Sequence, residues 1–175
     1  MSGPLRDNGP VLLVPSAWGV VGAAHVGFVS ERSLLIAHGV MATILFVFAV
    51  LSRNEMSEGV LRAWLYVLVA GFFFTIAGTV GLAVAEPTRE ALLGASIYGW
   101  MFAPAAGLAY TARESDSPRA YAVGAALSVV GASAYTVAVV GSGASVFAPD
   151  ALAVAAVLVV GVGQTVGIAD AVYRY

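Results

Sequence analysis

The sequence predicts an all-α integral membrane protein, a single domain (1–175) of six transmembrane helices with both termini cytoplasmic. Three observations predict it. Apolar stretches near 11–30, 33–52, 60–85, 91–112, 119–141 and 150–172 fill almost the whole chain. Each has about 20 residues or more, enough to cross ~30 Å of hydrocarbon at a helical rise of 1.5 Å per residue. Charged residues make up only 10% of the chain and sit almost entirely in the gaps, against about 25% in a soluble domain. Finally, 60% of the residues are hydrophobic and mean hydropathy is +0.91, more apolar surface than so short a chain can bury in water.

Each element has its own punctuation. The first stretch follows MSGPLRDNGP and continues past Trp18 and His25. That is longer than the apolar core of a signal peptide, so it reads as the first spanning helix. The tight turn Ser30–Ser33 then predicts an antiparallel hairpin of helices one and two. RNEMSEG (53–59) is a polar loop able to start the third helix, and Pro87 in EPTRE (86–90) stops it. In RESDSPR (113–119), Ser117 or Asp116 is the expected N-cap and Pro118 the first helical residue. GSGASVFAPD (141–150) is the longest outer loop, and Pro104 is expected to kink the fourth helix. Gly71 and Gly78, Gly124 and Gly131, and Gly163 and Gly167 recur at spacings that let helices approach closely in lipid, within one bundle.

Charge sets the orientation. Arg6, Arg53, Arg62, Arg113, Arg119 and Arg174 fall on the side of the termini, and only Arg32 and Arg89 on the other. That asymmetry in short loops places the termini in the cytoplasm of a cell-membrane protein. Asp170 and Arg174 are spaced to pair along one helix face.

Composition also excludes chemistry. The chain has no Cys, which removes disulfides and thiolate metal sites. It has no Lys either, which removes a retinal Schiff base. An acidic, Lys-free, Ala/Val/Gly-rich composition resembles that of proteins from archaeal halophiles. Nucleotide-binding, zinc-protease and serine-hydrolase motifs are missing, as is a basic patch for nucleic acid.

Polar side chains inside lipid are the candidates for function. His25 and His38 lie at similar distances from the turn that joins their helices, which carries Glu31. Imidazole binds heme iron, copper or zinc, so His25, His38 and Glu31 form a candidate metal site, with Met41 as a soft donor for copper. Helices joined by so short a turn pack ~8–10 Å apart, too close for a heme clamped between the two imidazoles. The alternative for each histidine is a bond to a neighbouring carbonyl or water. Gln164, near the middle of the sixth stretch, bridges helices or lines a path together with Thr75, Thr79 and Ser96.

The segment Ile36-Ala37-His38-Gly39-Val40-Met41, followed by ATILFVFAV, resembles the second helix of heme-copper oxidase catalytic subunits and small membrane proteins related to them. The resemblance covers about fifteen residues. It implies that His38 is an axial ligand of heme b, with Met41 in the pocket wall. The family's other metal-binding histidines have no counterparts, since the chain has only two, so no oxygen-reducing copper centre is implied.

A faint internal repeat supports a different class. SAWGVVGAAHVG (16–27) and SIYGWMFAPAAG (96–107) align with matches at Ser16/Ser96, Gly19/Gly99 and Gly27/Gly107. Two inverted three-helix halves would make a channel or carrier for a small solute or ion. The expectations are therefore a heme- or metal-associated redox protein built on His38 and His25, or a transporter, or a structural subunit. In each case lipid surrounds the chain, with a homo-oligomer or larger membrane complex as partner.

Overall fold

The computed structural model describes residues 4–142 and 151–174, with side chains for 11–141 and 151–173. The expected loop at 141–150 and the Asp170–Arg174 pairing fall outside the described parts. Six helices are described: α1 (Pro4–His25), α2 (Glu31–Ser52), α3 (Gly59–Ala83), α4 (Thr88–Glu114), α5 (Arg119–Ser142) and α6 (Ala151–Arg174). Five, α2 to α6, are long and apolar enough to cross a membrane, while the apolar part of α1, Val11–His25, is shorter. The expected first span, 11–30, therefore ends early. Gly27 adopts a left-handed φ of +77°, and Gly27 and Phe28 donate back to Ala24 and Ala23, which closes the helix. Side chains confirm the solvent: Ile36, Val40, Phe48 and Leu51 of α2 and Val130, Val137 and Val140 of α5 are exposed, as suits lipid and not water. The chain is an integral multi-pass membrane protein.

Helix starts follow local chemistry. Ser30 caps α2, its Oγ accepting from Ser33 N at 3.2 Å. Gly59 opens α3 at a φ of +54°. α4 runs through Pro104 as one helix. α3 stops at Ala83 and Pro87 stands at the head of α4, so that proline starts a helix rather than ending one.

The helices pack in the spatial order α2, α3, α4, α5, α6, α1, with α4 also reaching α6. The expected hairpin of α1 and α2 does not form a packed pair. Below their shared turn the two helices part, α1 lying along α6 and α2 along α3. The cause is small-residue seams. A Cβ added to Gly161 of α6 would lie 2.8 Å from Trp18 Cβ of α1, and one on Gly78 of α3 would lie 2.8 Å from the His38 ring of α2. Each helix takes the groove that admits its bulky residue. The α5–α6 seam is tighter still, since a Cβ on Gly124 would stand 2.5 Å from Gly163 O. These glycines serve contacts inside one bundle, as their spacing predicted. The two halves are not packed alike: α4 and α5 pack along each other, whereas their counterparts under an inverted repeat, α1 and α2, make little or no contact.

Candidate functional site

The two histidines start from the same local chemistry. Each ring nitrogen Nδ1 lies against the carbonyl one helical turn back, His25 on Val21 O at 2.8 Å and His38 on Leu34 O at 2.9 Å. A carbonyl only accepts, so Nδ1 carries the proton in both neutral rings, and Nε2 presents a lone pair.

Their Nε2 atoms then meet different surroundings. His25 is buried, and its Nε2 accepts from Tyr135 Oη of α5 at 3.0 Å. The rings meet edge to face, with Tyr98 of α4 packed on the other side of Tyr135 at 5.7 Å between centroids. Both nitrogens of His25 are thus engaged within the bundle. His38 is half-buried, and its Nε2 has no hydrogen-bond partner among the described residues. It rests against Gly78 of α3, beside Ser96 of α4. A methyl carbon on Gly78 would lie 2.6 Å from Ser96 Oγ and 2.8 Å from His38 Nε2, so a single atom would touch both.

Ser96 is the odd hydroxyl. Thr75, Thr111 and Ser128 are buried like it, and each donates to the carbonyl four residues back at 2.8 Å. Ser96 makes no hydrogen bond among the described residues. Ser96, Gly78 and His38 each lie about three turns or fewer from one end of the bundle, the end where α2 and α4 begin and α3 stops.

The expected ion site is not gathered. Glu31 sits at the first position of α2, about 10 Å along the axis from His38, and binds Arg89 at the start of α4. His25 is committed to Tyr135. Among the described residues no group of three His, Cys, Asp or Glu side chains could hold a metal. Met41 lies one turn beyond His38 on the same helix, half-buried.

Three of the four residues expected to line a path, Gln164, Thr75 and Thr79, belong to a hydrogen-bond chain, and Ser96 does not. Trp18 Nε1 donates to Gln164 Oε1 at 2.9 Å, and Gln164 Nε2 donates to Trp100 O at 2.9 Å. Trp100 Nε1 donates to Thr75 Oγ1 at 3.1 Å, and Thr75 donates to Gly71 O. Thr79 donates to Thr75 O at 2.8 Å. The chain links α1, α6, α4 and α3, and Gln164 therefore bridges helices.

Tyr135 and Gly78 were not singled out as site residues by the sequence. The Gly71/Gly78 spacing marked a close approach, but not what approaches. No family model matches the chain, and no curated protein or solved structure matches it either.

Proposed function

We propose that this membrane protein is a ligand-binding component of a membrane redox system, with His38 as the group that takes the ligand. One observation carries the reading: the Nε2 lone pair of His38 is fixed in place by the bond from Nδ1 to Leu34 O and has no partner among the described residues. A polar group left unpaired inside lipid is costly, which favours a bound partner. Axial and metal-bound histidines use the same arrangement, one nitrogen on a carbonyl and the other on the ligand. The redox assignment rests on the resemblance of the His38–Met41 segment to a heme-binding helix.

Heme b or a copper ion on Nε2 is the form of ligand that this resemblance implies. The His38 side of that coordination fits. Among the described residues no group of three His, Cys, Asp or Glu side chains gathers around a metal position, which favours a heme held by one axial imidazole over a bare copper ion. His25 is assigned to the scaffold. Transport is the weaker alternative, because Gln164 and Thr75 are engaged in the inter-helix bond chain.

The test is ligand retention. Protein purified in lipid nanodiscs is assayed for visible absorbance, metal content and extractable organic ligand. A ligand retained by the parent protein and by His25→Ala but lost from His38→Ala supports the proposal. Equal contents in all three reject it.

A further inference from the structure

We propose that the notch between His38 and Ser96 binds a lipid-soluble molecule headed by a hydroxyl group, which donates to His38 Nε2 and accepts from Ser96 Oγ. The inference rests on the reading of His38 as the ligand-binding group and names the chemical class of the ligand.

Four observations carry it. The first is complementarity. With Nδ1 donating to Leu34 O, neutral His38 offers an acceptor at Nε2, while Ser96 has a hydroxyl proton that it does not give to the carbonyl behind it. A hydroxyl is both donor and acceptor and satisfies the two groups at once. The second is convergence. His38 comes from α2 and Ser96 from α4, and both close on the bare backbone of Gly78, whose Cβ position lies 2.6 Å from Ser96 Oγ and 2.8 Å from His38 Nε2, so the acceptor and the hydroxyl stand side by side.

The third is the shortage of metal donors. His25 is held by Tyr135, Glu31 by Arg89, and no third acidic or imidazole group joins His38 among the described residues. A single imidazole and a neutral hydroxyl make a poor ion site but a complete hydrogen-bonding site. The fourth is access. Neither His38 Nε2 nor Ser96 Oγ is among the buried unpaired atoms of the described residues, so both keep some accessible surface beside α2, which packs along α3. The site lies about 10 Å inside the first residue of α2, at a depth where the surrounding medium is hydrocarbon. A ligand that enters there has to be apolar apart from its head.

The experiment uses full-length protein in lipid nanodiscs, labelled with nitrogen-15 at histidine. It is titrated with 2-decyl-1,4-naphthoquinol held reduced, with the dimethyl ether of that quinol, and with n-decanol. The quinol is expected to move the Nε2 resonance of His38 and leave that of His25 in place, and the ether to move neither. A shift with decanol as well marks an aliphatic hydroxyl as sufficient. A shift with the quinol alone marks a phenolic one. Both support the proposal. Ser96→Ala is expected to weaken binding about tenfold, the worth of one hydrogen bond, and Gly78→Ala to abolish it by pushing the His38 ring and Ser96 Oγ out of place.

An ether that binds as tightly as the quinol, or a Ser96→Ala protein of unchanged affinity, overturns the hydroxyl assignment. A heme band or stoichiometric metal that depends on His38, with no shift from either hydroxyl probe, overturns it while leaving His38 as the ligand group. The absence of any His38-dependent ligand overturns both readings.

Discussion

Trp18 and Gln164 meet across the α1–α6 seam, the indole Nε1 donating to the amide Oε1 at 2.9 Å. The same amide reaches α4 through Trp100 O at 2.9 Å. One side chain therefore ties three helices, and Gln164→Leu unpairs both Trp18 Nε1 and a backbone carbonyl. The expected loss is about 1–2 kcal/mol, the usual range for such bonds between membrane helices. Unfolding in detergent mixtures measures it. In a double-mutant cycle with Trp18→Phe the two losses fall short of additivity, because they share a bond.

His25 and Tyr135 form a closed pair. Tyr135→Phe leaves the packing volume nearly unchanged but removes the donor from His25 Nε2. The expected cost is about 1–3 kcal/mol, that of an unpaired buried acceptor. Ligand retention at His38 is expected to stay at the parent level. A Tyr135→Phe protein that loses its ligand while remaining folded contradicts the separation of the two histidines.

The α5–α6 seam predicts a sharp contrast among glycines. In Gly124→Ala the new methyl would press on Gly163 O at 2.5 Å, a backbone atom that cannot step aside. Destabilisation of about 3 kcal/mol or more is expected, at the upper end for overpacking. Gly94→Ala meets nothing within 4 Å and is expected to stabilise α4 by about 0.5–1 kcal/mol through helix propensity. Thermal unfolding of the two variants side by side tests both.

Arg89, in the first turn of α4, binds Glu31 at the start of α2, with Glu86 nearby. Glu31 is largely exposed, so the pair is screened by solvent. Arg89→Ala is expected to cost below about 1 kcal/mol, and less in high salt. A larger, salt-insensitive loss would assign this pair a buried role that its exposure does not support.

Much of the fold was legible in the residues. Apolar length and the gaps between charges located α2 to α6 within a few residues, because a bilayer imposes a minimum span and a penalty on charge. Gly71, Gly78, Gly124 and Gly163 announced close helix contacts, and the structure gives each an intramolecular neighbour. Gln164 read correctly as a bridge. The order of packing was not legible. A short turn at Ser30–Ser33 suggests neighbours in space, yet Trp18 fits the Gly161 groove and His38 the Gly78 notch, and those seams lie on different helices. The site was half legible. The spacing implied one depth for His25 and His38, but α1 ends at His25 whereas His38 lies seven residues inside α2; Tyr135 and Ser96, which meet the two imidazoles, both lie on helices far along the chain. Nothing in the hydropathy of a segment reports which distant hydroxyl will face it.

The docking of α1 on α6 also dictates how the molecule is made. α1 is synthesised well before α6, so Trp18 stays without its amide acceptor until Gln164 has been made. The middle helices, each packed on its successor in sequence, can assemble during translation. Docking of α1 on α6 then follows the assembly of α2 to α5, and a chain truncated before residue 151 would leave α1 unclaimed and open to quality control.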